Sequence, residues 1–134
     1  MNIYKNYLPL SDKEEMVAKI IVQSALEVHR RLGPGLLENV YETCFCYELK
    51  KKGIANKRQV ALPIQYDGRL FDEGLRLDVY VDELVICELK ARETINILWP
   101  AQLISHLKLA KCRLGYLINF NVPLIKDGIR RFII

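Results

Sequence analysis

Residues 77–90, LDVYVDELVICELK, constrain this chain more than any other stretch. They read as two apolar β-strands joined by an acidic turn. Asp78, Glu88 and Lys90 interrupt the apolar pattern. A carboxylate in a strand built for burial is costly unless something compensates it. Three such interruptions, of both signs, point to a site that holds a metal and handles a proton. The plainer alternative is a solvent-facing strand with an ordinary alternation of Glu and Lys.

Alternate residues of a strand share a face. Leu77, Val79 and Val81 are expected on one face of the first strand, with Asp78 and Tyr80 on the other. In the second strand Val85, Cys87 and Leu89 share a face, and Leu84, Ile86, Glu88 and Lys90 the opposite one. A two-residue turn at Asp82 and Glu83 would put Glu88 across from Leu77, on the apolar face. A shift of one residue reverses this. It pairs Val79 with Cys87 and sets Asp78 beside Glu88, through a three-residue turn or a bulge near Leu84. This is the predicted register, because it gathers the apolar residues on one face and the ionisable ones on the other. Directly opposed residues have Cβ atoms about 5 Å apart. Two carboxylates that close repel each other, and a divalent cation bound by their hard oxygens removes the repulsion. Lys90 lies over the same face, where its ammonium can meet a phosphate oxygen or position a water.

The rest of the chain supplies a frame for this hairpin. Its 134 residues are expected to form one domain, 1–134, with an irregular N-terminal arm at 1–10. Hydrophobic residues make up 51% and charged residues 27%, enough to bury a core. No apolar run approaches the roughly 18 residues of a membrane span, and residues 1–7 hold no hydrophobic signal core. No membrane association and a cytoplasmic location are therefore expected. Cys44, Cys46, Cys87 and Cys112 lie in apolar segments without metal-site spacing, which predicts reduced thiols and no structural zinc. The net charge of +4 is divided evenly between the two halves, so it permits a polyanionic partner without demanding one.

In chain order, Ser11 and Glu14 form a capping box before a helix that reaches Leu32, with Val17, Ile20, Ile21, Ser24, Ala25, Val28 and Leu32 as its stripe. A second helix is predicted over 37–52, with Val40, Tyr41, Cys44, Phe45 and Leu49 toward the core. Strands follow at 57–66, 69–73, 77–81 and 84–90, with a turn at Asp67-Gly68. Trp99-Pro100 opens a third helix to about Lys111. Strands at 113–119 and 129–134 complete the chain. This order predicts an α/β (α+β) domain, a mixed central sheet flanked by helices.

Gly35-Leu36-Leu37-Glu38-Asn39-Val40-Tyr41 fits the pattern Gly-x-x-Glu-x-x-Tyr. Together with Asp78, Glu88-Leu89-Lys90 and Gln102, it resembles the GxxExxY family. These are small bacterial proteins assigned to the PD-(D/E)xK nuclease-like superfamily. Residues 28–35 and 117–120 also look typical of it, and the resemblance runs from about Ser11 to Phe120. It implies a restriction-endonuclease-like core and a metal-dependent nuclease that hydrolyses phosphodiester bonds of nucleic acid, with Mg²⁺ or Mn²⁺ as cofactor. Asp78 and Glu88 would be metal ligands, helped by the Leu89 carbonyl, and Lys90 would orient or activate the water. Glu38 matches a helical acidic residue that such nucleases bring to the site, and Gln102 a glutamine that assists site or substrate. His106 stands where a tyrosine is common.

Each of these residues also has a plainer reading. Glu38 in the first turn of its helix favours the helix dipole with no catalytic role. Tyr41 is a core residue whose hydroxyl can bond Glu38, and Gly35 serves the turn. Gln102 and His106 share a helix face opposite the apolar stripe, with His106 at or near the surface, and His29 is structural. The leading reading is a nuclease acting on DNA or RNA without sequence preference. The alternative is a catalytically silent nuclease-fold module that binds or regulates, in which a homodimer or a partner protein supplies specificity. A purely structural protein is the third.

Overall fold

In a computed structural model, which describes residues 7–134, helix α1 spans Asp12–Leu32 and starts on a complete capping box. Glu14 N–H donates to Ser11 Oγ at 3.1 Å, and Ser11 N–H donates to Glu14 Oε1 at 2.9 Å. Part of the predicted arm, residues 1–6, lies outside the described residues, and residues 7–10 form no regular element. Helix α2 is Glu38–Lys51. Strands β1 (Asn56–Tyr66), β2 (Arg69–Val81) and β3 (Val85–Lys90) follow. Helix α3 (Leu98–Ala110), β4 (Leu114–Asn119), a short 3₁₀ turn and β5 (Ile129–Ile133) close the described chain.

The strands predicted separately at 69–73 and 77–81 are one strand of 13 residues. The 11-residue β1 pairs along it from Asn56↔Val81 to Tyr66↔Arg69, so no break is needed between them. Asp67 and Gly68 both take left-handed conformations, φ 54° and 69°, which suit a tight hairpin turn. The pairing has one register shift, between Leu62 and Ile64. Gly74 packs so closely on this shift that a Cβ there would collide with the Leu62 carbonyl.

The five strands lie in the order β1-β2-β3-β4-β5. Among the described residues only β3 and β4 run parallel, joined by the crossover helix α3, and the other pairs are antiparallel. The result is the mixed α+β sheet that the order of elements predicted. Helices α1 and α2 cover one face. Val17, Ile21, Ala25 and Val28 from α1 and Tyr41, Phe45 and Leu49 from α2 pack there on Val79, Val81, Val85, Cys87 and Leu89. Leu103 and Leu107 of α3 cover the other face, against Leu77, Ile86 and Leu117. Each fully buried leucine stabilises the fold by about 1.5–3 kcal/mol. Val40 and Leu32, expected toward the core, are exposed, Leu32 at the last residue of α1 and Val40 in the first turn of α2. The cysteines are free thiols, and no helix among the described residues is long and apolar enough to cross a membrane.

Candidate active site

The turn between β2 and β3 sets the register. Asp82 and Glu83 are both left-handed, φ 53° and 52°, and Leu84 N–H donates to Val81 O at 3.0 Å. Three residues therefore make the turn, and the ladder runs Val81↔Val85, Tyr80↔Ile86, Val79↔Cys87, as predicted. The ladder stops there. At the next level the Asp78 side chain replaces the backbone, accepting Leu89 N–H at 2.9 Å.

On the other side of β2, the partner of this level is also distorted. Arg58↔Val79 and Val60↔Leu77 pair normally, but Gln59 between them is left-handed at φ 51°. An L-residue pays about 1–2 kcal/mol for that conformation. Buried Glu42 of α2 holds it in place, accepting Gln59 Nε2–H at 2.7 Å and Arg58 NH2 at 2.9 Å. The predicted faces are also corrected at this level. Leu77 packs with α3, whereas Val79 and Val81 pack with α1 and α2. Nor are the ionisable residues on an open face, because the crossover helix α3 covers it and Ile86 lies in that core.

Glu88 lies near enough to Asp78 for the charge of one to act on the carboxyl of the other. Burial and then the neighbouring Glu88 push the Asp78 carboxyl up to about 7, opposed by the Leu89 N–H. Glu88 is buried, 7% exposed, and its Oε1 lies 2.9 Å from Nδ1 of His106. His106 is thus buried beside Leu103 and Leu107, not opposite the apolar stripe as expected. The sequence offered one signal for it: spacing of three from Leu103 and contiguity with Leu107, which sets it at the border of the buried stripe. Gln102, one turn earlier, is exposed and has no hydrogen bond to this cluster among the described residues.

Glu38 is the first residue of α2. Its charge reaches Asp78 and Glu88, and it borders two clefts. Partial burial raises its carboxyl, opposed by Lys90 and Arg92. The turn that delivers it explains the Gly-x-x-Glu-x-x-Tyr spacing. Gly35 sits at φ 99°, a conformation that L side chains rarely adopt. The Tyr41 hydroxyl donates to Gly33 O at 2.6 Å and accepts Leu36 N–H at 3.1 Å, clamping the turn from inside the core. Its ring stacks on Phe120 at 4.6 Å. Tyr41 therefore bonds the turn that carries Glu38, not the Glu38 carboxylate.

Lys90 ends β3, and its Nζ stands 5.3 Å from the centre of the Trp99 ring. With Glu38, Arg92, Thr94 and Asn96 these two residues line a polar cleft of about 420 Å³. The oxygens of Asp78 and Glu88 are of the hard kind that a divalent cation takes. No group of three or more His, Cys, Asp or Glu side chains suited to a metal ion is gathered among the described residues, so backbone oxygen and water would complete its shell.

The model of one protein family, the PD-(D/E)XK nuclease superfamily, matches residues 15–132. No curated protein and no solved structure matches the chain.

Proposed function

From the membership of this chain in the PD-(D/E)XK nuclease superfamily, we propose that it is a metal-dependent hydrolase of nucleic-acid phosphodiester bonds, and that it belongs to the GxxExxY branch. One domain, 1–134, carries the activity. The observation that carries this reading is the meeting of Asp78 and Glu88 at an interruption of the strand ladder, with Lys90 two residues along. Like charges that close are disfavoured unless a cation or a proton lies between them.

Asp78 and Glu88 would hold Mg²⁺ or Mn²⁺, with the Leu89 carbonyl. When bound, that ion lowers the pKa of water and neutralises phosphate charge. The protein's own groups do the rest. Asp78 keeps Leu89 in place through its N–H, so ligand and strand are fixed together. His106 occupies Glu88 Oε1, which leaves Oε2 for the ion. Lys90, steered by the Trp99 face, presents an ammonium that orients the attacking water and offsets charge on the phosphate. Glu38 stands at the mouth of the same cleft, where a carboxylate can order a second water. Gln102 would act only from outside, toward the substrate. Mildly basic overall charge adds non-specific attraction for the polyanion.

Cleavage of end-labelled single- and double-stranded DNA and RNA with Mg²⁺ or Mn²⁺ tests this. Wild type should cleave at least one substrate, and Lys90→Ala and Asp78→Asn should lose about 10²-fold or more, the scale of an electrostatic catalytic group. Equal background cleavage by wild type and Lys90→Ala on every substrate would sink the reading and favour a silent binding module.

A further inference from the structure

Beyond Lys90, the chain leaves the sheet but does not go free. Asn119 ends β4 opposite Lys90 and is buried, 6% exposed. Its side chain acts as a substitute strand for the next residues. Oδ1 accepts Arg92 N–H at 3.1 Å, and Nδ2–H donates to Arg92 O at 2.9 Å. Phe120 N–H donates to Lys90 O at 2.9 Å, so the segment is pinned on both sides of Ala91. A buried amide that satisfies both backbone groups of one exposed residue fixes where that residue's side chain starts.

The residue so held is a cation. Among the described residues Arg92 makes no ion pair, and neither does Lys90. Both line the polar cleft, with Thr94 and Asn96 as further hydrogen-bonding groups. Arg92 thus stands beside Lys90 on the wall of one cleft, with five N–H donors in a planar fork suited to phosphate. We propose that Arg92 is a substrate-binding residue that takes the phosphate adjoining the scissile one, and that Asn119 is the residue that positions it. This rests on the nuclease reading above and adds a second phosphate subsite to it.

The test uses oligonucleotides of the cleaved class, each with one charge-neutral methylphosphonate, and maps every cleaved bond. In wild type, cleavage should fall at the methylphosphonate itself and, by about tenfold, at the bond one nucleotide away on one side only, as expected for one charge-assisted hydrogen bond. Arg92→Ala should cleave more weakly but lose the second footprint, because the neutral position no longer matters. Arg92→Lys should keep part of it. Asn119→Ala, with its melting checked, should weaken the footprint while Arg92 is still present. Cleavage with the same two-position footprint in Arg92→Ala overturns the inference and leaves the nuclease reading standing. Abolished cleavage in Arg92→Ala with unchanged oligonucleotide affinity also overturns it, by making Arg92 catalytic. If wild type cleaves nothing, both fall together.

Discussion

His106 Nδ1 lies 2.9 Å from Glu88 Oε1 in the buried interface between α3 and the sheet. The hydrogen bond fixes one oxygen of a buried carboxylate. His106→Leu should cost about 1–3 kcal/mol of stability, the price of leaving a buried acceptor unpaired. It should also weaken binding of Mn²⁺ by about 10–100-fold, as removal of a ligand's supporting partner does. His106→Asn places an amide near Nδ1 and should restore part of the Mn²⁺ affinity. Titration calorimetry with Mn²⁺ reads this without any substrate. Equal affinity in wild type and His106→Leu would show that Glu88 needs no support.

The Asp78 carboxyl, pushed up to about 7 from an ordinary 3.8, makes the metal-free protein sensitive to pH. The folded state binds this proton more tightly than the unfolded chain does. Its stabilising contribution is fully present below about pH 3.8 and is lost as pH rises through 7. Metal-free wild type should therefore lose melting temperature across that window relative to Asp78→Asn, which cannot ionise. Added Mg²⁺ should raise the melting temperature more at pH 8 than at pH 5.5. Parallel pH profiles for wild type and Asp78→Asn would refute this.

Tyr41→Phe isolates the clamp on the turn before α2. It keeps the ring on Phe120 and removes only the hydroxyl that bridges Gly33 O and Leu36 N–H. A loss of about 1–2 kcal/mol is expected in chemical denaturation, for two hydrogen bonds at a partly solvated site. Cleavage should fall further than stability accounts for, because Glu38 is delivered by that turn. Unchanged cleavage in a destabilised Tyr41→Phe would reduce Glu38 to a residue that serves the helix dipole.

These residues also show what a sequence discloses. The hairpin register was legible, because one shift separates an apolar from a charged set and the three-residue turn at Asp82, Glu83 and Leu84 allows it. The element order and the sheet it implied were legible for the same reason, since each depends on local periodicity and turn residues. The faces of β2 were not. Strict alternation puts Leu77 with Val79, but the two pack on opposite faces, next to a left-handed Gln59 on the paired strand, and nothing in the string KRQVAL announces a positive φ at a glutamine. His106 reads as outward in the sequence because a polar residue at the edge of a helical stripe can turn either way. Only the position of Glu88 across the interface decides which. Asn119 looked like the end of a strand, and its grip on Arg92 spans 27 residues of sequence.

The distortion at Gln59 gives the last prediction. Its left-handed backbone costs about 1–2 kcal/mol, and the hydrogen bond from its amide to Glu42 Oε1 at 2.7 Å offsets that cost. Gln59→Gly removes both terms, so it should change stability by less than about 1 kcal/mol in the wild-type background. Glu42→Ala removes the offset and takes the carboxylate from Arg58, which keeps Thr43 Oγ1 as an acceptor, and should cost about 1.5–3 kcal/mol. In that background Gln59→Gly has only strain to lose, so it should stabilise by about 1 kcal/mol. The two changes are therefore non-additive, with a coupling of about 1 kcal/mol that urea denaturation of the four proteins measures. Additive effects would mean that Glu42 does not hold the strand irregularity at Gln59.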